Sequence, residues 1–329
     1  MTESAHEFER AEADLAELES RLQNVIIGQD ELLRDLLTAI FAGGHVLLEG
    51  LPGLGKTHLA KAISALLDLQ SGRVQCTPDL LPSDLTGSEI LSHESGSRPD
   101  FEFRKGPLFA NLVLVDEINR ATPRTQAALL EAMQERQVSY NGVQHPLPDP
   151  FRVIATQNPI ELEGTFPLPE AQLDRFMLKL HVSYPAADRL GDILDATLDQ
   201  EPADELQAIC SIDRMREIQS AAQQVLVSKD VRASAIALIL ATQPDSEGRS
   251  MHQHIRYGAS PRALQSLVRA ARVRALMNGR AHVSPDDLAH LALPVLRHRI
   301  LLQSESELDG NTPDSVLHDI ISVWSETHI

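Results

Sequence analysis

Apolar positions along this chain follow two different periods. Short unbroken runs such as Val46-Leu47-Leu48, Leu112-Val113-Leu114-Val115 and Val153-Ile154-Ala155 carry no polar interruption, as a parallel strand buried on both faces requires. Arg73-Val74-Gln75-Cys76 and Met177-Leu178-Lys179-Leu180 read as further strands. Between them leucines and isoleucines recur every three or four residues, the spacing of one helix face. Leu32, Leu33, Leu36, Leu37 and Ile40 form one such face, Leu59, Ile63, Leu66 and Leu67 a second, Leu129, Leu130 and Met133 a third. Strand and helix patterns in alternation predict an α/β fold.

The ends of these helices are marked locally. Asp30 is expected to cap the first and Gly43-Gly44 to stop it, while Thr122 and Pro123 open the third. An acidic helix over residues 3–23, with Leu15, Leu18 and Leu22 on one stripe, is expected to pack across a domain edge and to carry no chemistry. Past Pro185 the β pattern stops and the chain turns helical to its end, which marks a domain boundary near 186–205. In this second part Ser260 caps and Pro261 opens a helix bearing Leu264, Leu267 and Val268. Ser284-Pro285-Asp286-Asp287 repeats that opening ahead of Leu288, Leu291, Val295 and Leu296, with Pro294 expected to kink the helix.

Two segments break the alternation. Asp84 to Lys105 reads as an irregular projecting insertion, polar from Ser92 to Ser97 and β-like on its return at Phe101-Glu102-Phe103. Val138 to His145 reads as a hairpin, because the central Asn141-Gly142 suits a turn whose two inner residues both need positive φ. Either it is a tight connection or a projecting contact element.

Composition narrows the partners. With 29 Lys and Arg against 47 Asp and Glu, the formal charge of this 329-residue chain is −18. A face tracking nucleic-acid phosphates would have to be strongly local to work against that field, so nucleic acid is a disfavoured partner. Cys76 and Cys210 have no metal-ligand spacing and are expected to be reduced, half-buried thiols. There is no leader pattern at Met1-Thr2-Glu3-Ser4 and no apolar run of about 18 residues. A soluble, cytoplasmic protein with no membrane span is the expectation.

The candidate chemistry centres on Gly50-Leu51-Pro52-Gly53-Leu54-Gly55-Lys56-Thr57, which follows the first apolar run directly and precedes a helical pattern. Glycines there let backbone N–H groups turn around an oxyanion, and the helix start adds its positive end. Lys56 would reach β- and γ-phosphates and Thr57 would offer a hydroxyl to Mg2+. Asp116 and Glu117 close another buried strand, and ligands of open parallel sheets sit at the carboxyl ends of strands. Asp116 can hold Mg2+, while Glu117 can polarise an attacking water. Asn158 either joins them, orienting a water or touching a γ-phosphate, or only begins the turn before Pro159. Arg262 lies in the first turn of its helix, where a cation opposes the helix dipole; a local conflict of this kind is expected where an anion such as a γ-phosphate is contacted. Arg175, on a short helix over 170–176, reads on its own residues as a surface charge. The turn Ile26-Ile27-Gly28-Gln29 either flanks a base beside the phosphate loop or is plain core. Arg297-His298-Arg299 carries no assigned role.

In this order and at these intervals GLPGLGKT, LVLVDEINRA, IATQNP, EAQLDRF and GASPRA resemble the MoxR branch of the AAA+ ATPases, over Val25 to about Leu302. The resemblance implies a five-stranded parallel αβα core at 25–185, with an insert at 84–105 and a hairpin at 138–147 that both face a ring pore. An N-terminal helix at 1–24, a linker at 186–204 and a smaller all-α lid with C-terminal helices at 205–329 complete the implied layout. ATP, with Mg2+ at Thr57 and Asp116, would be held by Gly50, Pro52, Gly53, Leu54, Gly55, Lys56, Thr57 and His58, beside Ile27. Carried over residue by residue, the family's polar sensor falls on Asn158, its arginine finger on Arg175 and its second-sensor arginine on Arg262, while Arg120 is a further candidate to face the neighbour. Homo-oligomeric rings, usually hexamers, are implied, together with chaperone-like maturation of a protein client, often with a von Willebrand factor A domain protein. Two other classes stay open: an AAA+ nucleic-acid motor, and a nucleotide-gated scaffold with little turnover.

Overall fold

The computed structural model describes residues 3–51, 53–92, 100–159, 164–198, 206–244 and 253–329. Pro52, and the insertion tip past Ser92, lie outside the described residues. The acidic helix α1 (Glu3–Val25) buries Ala11, Leu15, Leu18 and Leu22. Helix α2 (Asp30–Phe41) follows, then β1 (Val46–Gly50), α3 (Lys56–Leu66) and β2 (Ser71–Gln75). Next come α4 (Pro82–Thr86), β3 (Gly87–Ser92), β4 (Asp100–Lys105) and β5 (Leu112–Asp116). A 3-10 turn at Ile118–Arg120 leads into α5 (Pro123–Glu135), β6 (Gln137–Tyr140), β7 (Val143–Pro146), β8 (Arg152–Gln157), α6 (Glu170–Leu173) and β9 (Leu178–Val182).

Five of these strands form one sheet in the order β2-β5-β8-β1-β9, and every pairing in it is parallel. All five residues of β5 are buried, as its unbroken apolar run demands. The sheet separates two apolar layers. Leu47, Val113, Val115, Val153 and Ala155 face α5 on one side, while Val46, Leu48, Leu112, Leu114 and Ile154 join α1, α2, α3 and the second domain on the other. Alternate positions of the same strand thus feed opposite layers, the period-two rule of a pleated strand.

The remaining chain is α7 (Ala187–Leu198), α8 (Ile212–Gln224), α9 (Lys229–Leu240), β10 (Ile255–Tyr257), α10 (Pro261–Met277), α11 (Pro285–Leu296), β11 (Leu301–Leu302), α12 (Ser304–Leu308) and α13 (Pro313–His328). A two-stranded ribbon of β10 and β11 interrupts the helices. No helix among the described residues is long and apolar enough to cross a membrane.

Several local expectations are corrected. Gln29, not Asp30, stands at the N-cap of α2, and its amide donates to the Ser183 carbonyl at 2.8 Å instead of capping. The insertion is an antiparallel hairpin of β3 and β4 rather than irregular chain. Its pairing across 87–105 lies outside the reach of a local period, and so escaped the pattern. The Asn141-Gly142 turn has positive φ at both residues, 47° and 79°, as its sequence requires. The two hairpins meet: Phe103 stacks on His145 with centroids 4.2 Å apart, and Asn141 donates to Glu89 at 3.1 Å. Cys76 and Cys210 are free and fully buried, not half-buried.

Candidate active site

The carboxyl ends of β1, β5 and β8 lie side by side in the sheet, and the residues that follow them line one cavity of about 450 Å³. Gly53 and Gly55 turn into it with φ of 82° and 73°. A Cβ on either would meet nothing within 4 Å, so these glycines are required by backbone sign, and the space beside them is open. Helix α3 begins at Lys56 and aims its unpaired N–H groups the same way. Lys56, Thr57 and His58 line the cavity, while Leu54 packs half-buried against the core. The Lys56 ammonium donates to the Gly50 carbonyl at 2.5 Å. Partial burial lowers its pKa, opposed by Asp116, Glu117 and Glu49.

Asp116 ends β5 and Glu117 turns into left-handed geometry, φ 55°, directly after it. Thr156 on β8 fixes both, accepting the Glu117 N–H at 2.9 Å and donating to Asp116 Oδ1 at 3.5 Å. Arg73 donates to Asp116 Oδ2 at 2.9 Å, and Gln75 and Arg120 donate to Glu117 Oε2 at 3.2 and 3.1 Å. Asn158 is buried on the wall of the same cavity, and its carbonyl accepts from Asn119 at 3.3 Å. The phosphate loop, both acids and Asn158 are thus brought together. Oxygen donors from Thr57 and Asp116 fit a hard divalent cation such as Mg2+, which takes few protein ligands beside phosphate oxygens.

Ile27 is half-buried and does not line this cavity. The turn it opens borders a separate cleft of about 620 Å³, where Gly28 and Gln29 face His181, Arg189 and Leu293.

Arg175 and Arg262 lie elsewhere. They line a third cavity, of about 240 Å³, with Arg136 and Arg269. This cavity sits at the opposite edge of the sheet: His45 precedes β1, Met177 precedes β9, and buried Arg152, which begins β8, lies beneath. Helix α6 ends at Leu173, so Arg175 stands in the turn after it and not on the helix as expected. Ser260 makes no capping bond to α10; its hydroxyl donates to Asp174 at 3.3 Å, and Arg262 approaches the same carboxylate at 3.8 Å. His45 accepts the Val153 N–H on Nδ1 at 3.0 Å. Burial, followed by the charge of Arg152, pushes its pKa down to about 3.

Sequence reading missed Arg73, Gln75 and Thr156 at the acids and Arg136 and Arg269 at the opposite edge. The first pair had one visible signal, polar residues at alternate positions of a strand. Thr156 and Arg269 had none, since their importance comes from neighbours distant in sequence.

Residues 45–178 match the family described as ATPase family associated with various cellular activities (AAA), and residues 249–320 match the AAA lid domain. The uncharacterized protein YeaC of Bacillus subtilis is 38% identical over 301 residues, covering 92% of this chain and 91% of its own. Chaperone MoxR1 of Mycobacterium tuberculosis is 38% identical over 302 residues, covering 91% of this chain and 79% of its own. A crystal structure from Cytophaga hutchinsonii superposes with a TM-score of 0.89 at 38% identity, over 96% of both chains.

Proposed function

This chain belongs to the MoxR family of AAA+ ATPases, and from that premise we propose that it cleaves the β–γ bond of Mg2+·ATP within a ring of its own copies and uses the resulting motion to remodel a protein partner. One observation carries the ring: the groups needed for hydrolysis stand at opposite edges of one sheet. The phosphate loop, Asp116, Glu117 and Asn158 are at the carboxyl edge, and Arg175 and Arg262 at the amino edge. Five-residue strands separate the edges by about 17 Å, farther than an arginine side chain extends. The two arginines therefore serve a nucleotide bound by another copy.

At the carboxyl edge Lys56 exchanges the Gly50 carbonyl for phosphate oxygens, and the α3 N-terminus and the Gly53 and Gly55 backbone cradle the same charge. Gly50, Pro52, Leu54 and His58 complete the loop. Thr57 and Asp116 would hold Mg2+, for which Arg73 would release the Asp116 carboxylate it now binds. When bound, the cation neutralises charge on the β- and γ-phosphates. Glu117 polarises the water for in-line attack, and Asn158 orients that water or the γ-phosphate. Base and ribose occupy the cleft beside Ile27 and Gly28. Arg175 and Arg262 of the adjoining copy stabilise the charge that develops on the departing phosphoryl group.

The ring is a hexamer in the usual form of the family, with 25–185 as the nucleotide domain and 205–329 as the lid. The two hairpins reach the client: Phe101 on β4 and Val143 on β7, 69% and 56% exposed, give them apolar surface. Chaperone-like maturation of a protein, by metal or cofactor insertion or complex assembly and with a von Willebrand factor A domain partner, is the biological role we assign, in the cytoplasm. Mixing Arg175→Ala subunits with Glu117→Gln subunits tests the arrangement. Hydrolysis should recover in the mixture although neither variant is active alone; confirmed mixed rings that stay inactive would defeat it.

A further inference from the structure

The cavity at the amino edge of the sheet gathers more positive charge than Arg175 and Arg262 supply. Arg136 and Arg269 line it as well, and among the described residues Asp174 is its only acid. That acid is already committed, since Asp174 Oδ1 accepts from the buried Arg299 at 2.7 Å. Among the described residues the guanidinium groups of Arg136 and Arg175 have no hydrogen-bond or ion-pair partner, and Arg269 has only the Ala42 carbonyl, 2.8 Å away.

Positive charge is crowded beneath the cavity too. Burial first, then Arg136 and Arg269, push the buried Arg152 down to about 10, with only Asp149 opposing them. Burial and Arg136 also lower Arg269. Like charges held together with too few counter-ions oppose folding, and a chain of net charge −18 has carboxylates enough to have neutralised them. Local conflicts of this kind mark sites reserved for a ligand. Arg136 is held in place by backbone geometry: it ends α5 in the left-handed region, φ 54°, and so departs from the helix axis toward the cavity. Arg262, in the first turn of the 17-residue α10, brings a helix N-terminus to the same space.

We propose that this cavity is a binding site for the terminal phosphates of a nucleotide held by a second copy of the chain, in which Arg136 and Arg269 contact the anion together with Arg175 and Arg262. At about 240 Å³ the space is smaller than a pocket for a whole organic ligand, and suits a phosphoryl group entering from outside. This inference rests on the trans arrangement proposed above and adds two residues to it.

Full-length Arg136→Gln and Arg269→Gln variants, both substituted at exposed positions, test it. Affinity for a fluorescent ATP analogue at low protein concentration should stay within about twofold of the unaltered chain, because the phosphate loop is intact. Turnover at saturating ATP should fall by at least about tenfold. Glu117→Gln subunits should restore it on mixing, and Arg136→Lys should recover part of it alone. Turnover within twofold of the unaltered chain in either variant, or no recovery in confirmed mixed rings, would overturn the proposal. If Arg175→Ala recovers on mixing and Arg136→Gln does not, only the added residues fail; if neither recovers, the trans reading itself fails. Inorganic tripolyphosphate separates the two sources of the anion. Binding to Lys56→Ala protomers that is lost on adding Arg136→Gln, with hydrolysis by the single Arg136→Gln variant unchanged, would make this a site for free polyphosphate and overturn the assignment.

Discussion

Arg299 and Asp174, 125 positions apart, form the ion pair that fastens the helical domain to the turn carrying Arg175, with Arg299 Nε donating to Asp174 Oδ1 at 2.7 Å. The Arg299 guanidinium also donates to the carbonyls of Asp174, Phe176, Met177 and Val295. Its side chain is 2% exposed. His298 beside it lies 3.0 Å from the Phe176 carbonyl. Of the stretch Arg297-His298-Arg299, unassigned from sequence, His298 and Arg299 clamp the backbone that aims Arg175, while Arg297 pairs with Asp314 at 3.1 Å.

Arg299→Ala should therefore destabilise the fold by about 3–5 kcal/mol, because it strands a carboxylate and several buried carbonyls at once. Urea unfolding measures this; a loss under about 1 kcal/mol would mean that other contacts hold the turn.

Lys56→Ala should weaken ATP binding by about ten- to a hundredfold, the range for removing a charged hydrogen-bond donor. Titration with a fluorescent analogue reads it directly. Unchanged affinity would remove Lys56 from the cradle.

Glu117→Gln keeps the shape at the left-handed turn after β5 and removes the base. Nucleotide affinity should survive while hydrolysis falls by about 10²–10⁴-fold. Phosphate release near the unaltered rate would exclude Glu117 as the group that activates water.

His45 gives a pH signature. Its folded pKa is about 3 against 6.5 for the free side chain, so between those values the unfolded chain holds a proton that the folded chain does not. Stability from this group is complete above pH 6.5 and declines as pH falls toward 3, by about 1.4 kcal/mol per unit. The pH dependence of the unfolding free energy in that window should be shallower by about one proton in His45→Gln; identical slopes would contradict the neutral buried ring.

Burial pushes the Cys76 thiol up to about 12, with Asp116 and Glu117 adding to it, and the Cys210 thiol up to about 11. At pH 8 neither should react with a disulfide exchange reagent until the chain is unfolded, since the thiolate is the reacting form. Rapid labelling of Cys76 in the native protein would show that the sheet edge at β2 opens.

What the chain determined alone was whatever depends on neighbours in sequence. The unbroken run Leu112 to Val115 specifies a buried strand, Gly53 and Gly55 specify a loop of positive φ before α3, and Asn141-Gly142 specifies a hairpin. Covalent adjacency places the phosphate loop after β1 and the two acids at the end of β5. Their meeting follows once both strands lie parallel in one sheet. Pairings between distant residues were not legible, because no local period encodes them: Arg73 with Asp116, Arg299 with Asp174, the four arginines of one cavity. Sheet order and domain docking decided those. Above all, tertiary structure set Arg175 and Arg262 at the amino edge, away from the phosphate loop. A strand has two ends, and only the order of strands and the docking of the lid determine which side chains gather at each.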